Sequence, residues 1–144
     1  MSHKLSKRLA DIVDALPLKD NIRISEIGCG AGAMAREISR RIKGGYILAI
    51  DRSAKAIQQA VTGSVQEIEA GKLSFRQIAI EKFKLEINEE KFDIAVAIRV
   101  GALDGRHPEI EKQSLTNIAG ALTKNGKLFI DGGHSLKEIY LYRQ

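Results

Sequence analysis

Ile22-Arg23-Ile24-Ser25-Glu26-Ile27-Gly28-Cys29-Gly30-Ala31-Gly32 is the stretch that decides the fold. Ile22–Ile27 reads as a buried strand, and three glycines follow within five residues. Glycine is needed where a backbone turns tightly or must let another group approach without a Cβ in the way. Ala33–Ile42 then carries Met34, Ala35, Ile38 and Ile42 at helical spacing. A buried strand that breaks on glycines and restarts as an amphipathic helix is the opening of a βαβ unit.

The same alternation continues in both directions. Leu5, Leu9, Ile12, Val13 and Leu16 mark an earlier helix, stopped by Pro17. Gly44 and Gly45 close the helix after the glycine turn, and Tyr46–Ile50 is a second strand. Asp51 follows it, and Ser53 is placed to cap a helix running to about Ala70, weakened at Gly63. Leu73–Ile80 reads as a third strand, and the segment 81–91 is ambiguous. Phe92–Ile98 is almost wholly apolar, as central parallel strands are. A loop over 101–107 leads to Pro108, suited to a first helical turn, and that helix is expected to end at Asn125-Gly126. Lys127–Ile130 is a fifth strand, and the tail 134–144 reads as a short edge strand or a docked segment.

Strands separated by helices imply an α/β fold, a three-layer αβα sandwich with a mainly parallel sheet. Five strands with one reversal of winding predict the order 3-2-1-4-5. Ligands in such sheets sit beyond the carboxyl ends of the strands where the winding reverses, which here is the glycine turn. The 144 residues suit one domain, 1–144, with 1–20 as an N-terminal helix and potential lid.

Composition narrows the function classes. With no Trp, three Tyr and four Phe, the chain is poor in the aromatic platforms that stack single-stranded bases. The net charge of +5 suits an anionic substrate or weak nucleic-acid contact, but the basic residues are spread without a run of five, as on an ordinary solvated surface. The balance argues against a nucleic-acid partner. One cysteine excludes an intrachain disulfide and suits a reducing compartment. The segment 1–16 is too charged for a signal peptide, and no apolar run approaches the roughly 20 residues of a membrane span. A cytoplasmic protein is expected, with no membrane partner and no metal site.

Asp51 stands nineteen residues after Gly32, at the end of the second strand. A carboxylate there can accept hydrogen bonds from both hydroxyls of a ribose. Together, Glu26-Ile27-Gly28-Cys29-Gly30-Ala31-Gly32 and Leu48-Ala49-Ile50-Asp51-Arg52-Ser53 resemble the class I, Rossmann-like methyltransferases that use S-adenosylmethionine (SAM). Phe92-Asp93-Ile94 and Asn125-Gly126-Lys127-Leu128 extend the likeness over about residues 20–133. The resemblance implies that Glu26 anchors the methionine end of SAM, partly through water. It implies that the backbone of Gly28, Cys29, Gly30 and Gly32 lines the amino-acid and ribose portions. Asp51 would hold the ribose hydroxyls and Arg52 would flank the adenine. The family's acidic residue after strand 3 is replaced by Ala79, so the adenine contact passes to Glu81 or to the backbone near Ile80. Ser25 stands where an aliphatic residue is usual. Cys29 is read as a packing residue, since nothing near it in sequence lowers a thiol pKa.

Gly28-x-Gly30-x-x-Ala33 also fits a dinucleotide fingerprint, so an NAD or other nucleotide-binding domain is an alternative. Glu26, the third glycine at Gly32 and the lack of room for a dehydrogenase's substrate domain favour SAM. A catalytically silent SAM-binding module acting through a partner is a further alternative.

The segment after strand 4 usually faces the transferred methyl group. Here it contains Arg99, Asp104 and His107 as candidates for contact with a small-molecule acceptor. Histidine can remove a proton from a hydroxyl or amine; Asp104 would orient it or bind a cation, and Arg99 would hold an acid. The segment lacks the Asn/Asp-Pro-Pro-Tyr/Phe pattern of enzymes that methylate exocyclic or amide nitrogens. Asp104-Gly105 also suits an ordinary turn, and methyl transfer needs mostly alignment, so a dedicated base is not obligatory. His134 is a secondary pocket candidate and His3 reads as terminal surface. The family's sheet normally continues past strand 5 with another helix and an antiparallel strand pair; only eleven residues follow Gly133 here, so a sheet truncated after strand 5 is expected, with that pair absent or reduced. A fifth strand left as an edge invites pairing, so either a homodimer or a tail that folds back is expected.

Overall fold

The computed structural model of the protein describes residues 5–131 and 135–141. Helix α1 (Lys7–Ala15) begins at Ser6, whose side chain accepts from the Leu9 N–H. Then come β1 (Arg23–Ile27), α2 (Ala33–Arg41), β2 (Tyr46–Asp51), α3 (Ala54–Thr62), α4 (Val65–Glu69) and β3 (Leu73–Gln77). A single 3₁₀ turn, Ile80–Lys82, precedes β4 (Phe92–Ala97), and another, Gly101–Leu103, precedes α5 (Pro108–Ala121). The chain continues into β5 (Leu122–Asp131) and β6 (Leu136–Ile139).

The sheet order is β3-β2-β1-β4-β5-β6. The first five strands are parallel, and β6 runs antiparallel to β5. Ile24, for example, is flanked by Ile47 on β2 and Ile94 on β4. Winding runs outward from β1 to β3 and then resumes on the other side at β4. At constant crossover hand, that reversal moves the connecting helices to the opposite face. Accordingly Met34 and Ile38 of α2, with Ile12 and Val13 of α1, pack over Ile24, Ile47 and Val96. Ile118 and Ala121 of α5, with Phe83, pack over Ile27, Leu48, Ala95 and Leu128 on the other side. Central strands are therefore covered on both faces, which is why β2 and β4 are nearly continuous apolar runs.

Several expectations shift. Ser53 caps α3, accepting from the Ala56 N–H, but the helix breaks at Gly63 and restarts after the fully buried Ser64. Strand β3 ends at Gln77, short of Ile80, because Ile80 turns inward to join the core beside Phe83. Helix α5 ends at Ala121, four residues before Asn125. Phe92 pairs with Leu122 while Ile94 pairs with Lys127, so the turn lies inside β5 as a bulge. The tail forms the antiparallel strand β6 and covers the β5 edge from within the same chain. Of the two coverings expected for that edge, the folded-back tail is the one observed. His3 and His134 fall outside the described residues.

Phe92 is fully buried between β1 and β5. Phe92→Ala is expected to lower the unfolding free energy by about 3–5 kcal/mol in urea titration, as aromatic truncations in packed cores do.

Candidate cofactor site

Strands β1, β2 and β4 end together at the winding reversal, and the glycine turn projects from the middle one. Its direction is fixed by backbone bonds: the N–H groups of Gly28 and Cys29 both donate to the Ile50 carbonyl, at 2.8 and 3.0 Å. Gly28, Gly30 and Gly32 all have left-handed φ angles, of 73°, 55° and 87°. Residues with a Cβ adopt that region with strain. A Cβ on Gly28 would lie 2.9 Å from Val100, and one on Gly32 would crowd Phe75 and Arg36. At Gly30 a Cβ would meet nothing within 4 Å. The turn thus has an inner side, with Cys29 and Gly32 buried, and an outer side open to a ligand.

Asp51 fastens this turn to the tip of β2. One carboxylate oxygen accepts from the Gly30 N–H and the other from the Ser53 N–H, both at 2.9 Å. Each oxygen keeps acceptor capacity, because a carboxylate offers about four lone-pair sites. Beyond Asp51 opens a cavity of about 410 Å³. Gly28, Asp51, Arg52, Ile80, Glu81, Arg99 and His107, all singled out from the sequence, line it. Ile78, Ala79, Val100 and Ile110 supply apolar wall. The Ile80 carbonyl accepts from Asn117 of α5, at 2.9 Å, and from the Phe83 N–H.

Glu26 lies beneath the turn, 4% exposed, and its Oε1 has no hydrogen-bond partner. Burial, reinforced by the nearby Asp51 charge and partly offset by Arg36, pushes its carboxyl up to about 8 from 4.5. Its charged form lacks the solvation that water gave it, and among the described residues no hydrogen bond to Oε1 replaces it. Burial, with Glu26 and Asp51 close by, also pushes the Cys29 thiol far up. Burial and that upward shift both disfavour the thiolate form, as for a cysteine that packs rather than reacts.

The Asp104 carboxylate accepts from the guanidinium and the backbone N–H of Arg106, which, with a smaller attraction from His107, hold it below the usual carboxylate range; among the described residues no hydrogen bond joins it to His107. His107 sits at the N-terminus of α5 on the rim of the larger cavity. Asp104 instead lines an adjoining cavity of about 360 Å³ with Arg99, Arg106 and Asp131. Among the described residues no group of three or more His, Cys, Asp or Glu is placed to hold a metal ion. Nor is any described helix long and apolar enough to cross a membrane.

Arg36 is a part of the site that the sequence alone does not single out. It is buried in α2, and its guanidinium donates to the Ala31 carbonyl at 2.8 Å and to Ser64 Oγ at 2.9 Å. It ties the turn to the break between α3 and α4. Its legible signal was a charge in the first turn of the helix that the glycines open, within reach of their carbonyls.

A model of the family described as "Methyltransferase domain" matches residues 18–139. The chain belongs to this methyltransferase family. A relative by sequence is "Putative methyltransferase YrhH" of Bacillus subtilis (strain 168), 33% identical over 58 residues, 40% of this chain and 32% of that protein. The chain therefore spans about a third of its length. Among solved structures, a SAM-dependent methyltransferase from Thiobacillus denitrificans in complex with S-adenosyl-L-homocysteine aligns with a TM-score of 0.68 at 23% identity, over 88% of this chain and 48% of that one. One from Geobacter sulfurreducens, in complex with the same compound, aligns at 0.67 and 20% identity, over 88% and 47%. The [4+2]-cyclase SpnF aligns at 0.66 and 20%, over 85% and 41%. At these identities the structural likeness defines the fold, and the chain spans less than half the length of each.

The raised Glu26 pKa has a sign. The folded state holds this proton more tightly than the unfolded state. Its contribution to stability is therefore fully present below about 4.5 and is lost as pH rises to about 8. Glu26→Gln removes that loss. Urea titrations of ligand-free protein should show wild type falling below the variant by a few kcal/mol between pH 5 and 9. A gap that stays constant across that range would mean that Glu26 is not buried as a proton-holding carboxyl.

Proposed function

We propose that this chain is a SAM-dependent methyltransferase that transfers a methyl group to an oxygen or nitrogen of a small molecule. The observation that carries the cofactor assignment is the unpartnered Glu26 Oε1 buried beneath an open glycine turn, with Asp51 across the gap. SAM carries positive charge on its ammonium and its sulfonium. A site that brings two carboxylates together in a partly dry space favours such a cation. A dinucleotide carries no ammonium to place against the buried Glu26 and would leave its Oε1 without a partner, which disfavours the NAD alternative.

Glu26 would accept from the ligand ammonium, giving its orphaned oxygen a partner. Asp51 would use its remaining lone pairs for the ribose hydroxyls while continuing to hold Gly30 and Ser53. Glu81 is the acceptor available for an exocyclic amine of the base. With the Ile80 carbonyl engaged by Asn117, a backbone contact there falls to the Ile80 N–H. Arg52 and the Ile78–Ile80 wall would cover the faces of the base.

When bound, SAM supplies a methyl carbon made electrophilic by the adjoining sulfonium. The protein's work is to bring the acceptor's lone pair into line behind that carbon and exclude water from the gap. With Asp104 engaged by Arg106, removal of an acceptor proton falls to His107 or to solvent.

Calorimetric titration with S-adenosylhomocysteine tests the cofactor reading. Wild type should bind saturably, and Asp51→Ala should weaken binding about tenfold to a hundredfold, the worth of one or two hydrogen bonds to a charged group. Equal affinities would refute the ribose assignment. Affinity of wild type should also rise with pH toward about 8, with proton release, because the ammonium selects ionised Glu26. Glu26→Gln should bind more weakly and lose that slope.

A further inference from the structure

We infer that the methyl acceptor carries a single carboxylate, bound by Arg99 in the cavity between the tips of β4 and β5. The inference rests on the methyltransferase reading above and names the substrate class for that site.

The cavity of about 360 Å³ adjoins the larger one and shares Arg99, Val100, Gly101 and Arg106 with it. A molecule held there lies next to whatever fills the larger space, as an acceptor must. Its charge balance is specific. Asp131 is paired with Arg8 of α1, and Asp104 with Arg106. Arg99 has no ion pair among the described residues. Three arginines against two aspartates leave one positive charge unmatched, and Arg99 carries it. Its planar guanidinium pairs with a carboxylate through two parallel hydrogen bonds. A doubly charged phosphate would meet the two aspartates with a charge to spare. Ala97, Leu103 and Ile130 make the remaining wall apolar, suited to a hydrocarbon or aromatic body behind the acid group.

The backbone supports the assignment. Arg99 has φ 56°, in the left-handed region, and its N–H reaches Asp131 at 3.4 Å. A long side chain in that conformation is strained, and such strain concentrates where a side chain must be aimed at a ligand. Glycine would hold the same turn without strain, so the turn alone does not call for arginine.

The probes are benzoate and its neutral analogue benzamide, titrated by NMR into protein saturated with S-adenosylhomocysteine. Benzoate should give saturable shifts at the β4–β5 tips and bind about tenfold or more tightly than benzamide, as a charged hydrogen-bonded pair would. Arg99→Gln should bring benzoate down to the benzamide level. Arg99→Gly should do the same while folding without difficulty, since it relieves the backbone. Because Arg99 borders both cavities, the comparison is between the two ligands: in both variants the affinity for benzoate should fall by more than the affinity for S-adenosylhomocysteine. Equal binding of the two probes, no saturable benzoate binding, or unchanged benzoate binding in the variants would overturn the inference. An equal loss for the nucleoside ligand would also overturn it, by assigning the guanidinium to the cofactor. Failure of wild type to bind S-adenosylhomocysteine would instead defeat the cofactor reading. The benzoate titration repeated without that ligand would still decide the role of Arg99.

Discussion

The hydrogen bond from the Gly30 N–H to Asp51 is the constraint on which the site depends. It joins the turn after β1 to the tip of β2, so two strands that leave the sheet separately end in one rigid corner. The parallel register of β1 and β2 brings the partners together, because Ile27 stands opposite Ile50. Arg36 secures the same turn from its far side, through Ala31 and Ser64. Between these two anchors the glycine backbone has little freedom. The open side of Gly30 is therefore held ready for a ligand before any ligand arrives, which lowers the ordering cost of binding.

Much of this was legible in the sequence because its carriers are local. The strand, glycine turn and helix over residues 22–42 follow from periodicity and from where a Cβ cannot stand. Ser53 as a cap and Pro108 at a first helical turn are one-residue signals with one structural meaning. The reversal of winding predicts the order of the first five strands and, with it, the place where Asp51 meets the glycine turn. What was not legible depended on distant partners. Asn125-Gly126 announces a break, but that the break is a bulge inside β5 follows only from the pairing of β5 with β4 on both sides of it. Arg36 looks like one more charge on a helix until Ser64, 28 residues later, is seen to receive it. Asp104 looked free to orient His107, but its neighbour Arg106 reaches it first. Arg8 and Asp131 lie 123 residues apart, and only the fold shows that they neutralise each other.

Glu26 illustrates a conflict between folding and function. A buried carboxyl with an unpartnered oxygen is unfavourable for the ligand-free chain, and a glutamine or an aliphatic residue would suit the core better. Functional sites commonly keep such locally unfavourable groups. Here the penalty is limited by protonation, and a cationic ligand removes its cause. Glu26 is thereby both a weak point of the empty protein and a source of selectivity for positive charge.

Placing β1 at the centre of the sheet has a consequence for how the molecule assembles. Its β2 neighbour follows within twenty-odd residues, but its other neighbour, β4, begins at Phe92. During synthesis the apolar flank of β1 must wait, unpaired, while some seventy residues are added. A growing chain with such an exposed strand is open to pairing with another nascent chain, and non-local parallel pairing is slow to form. The ligand corner is completed only after that wait, when Val100 arrives against Gly28. The strand that is made first is thus closed on its second side only when the fourth has been made.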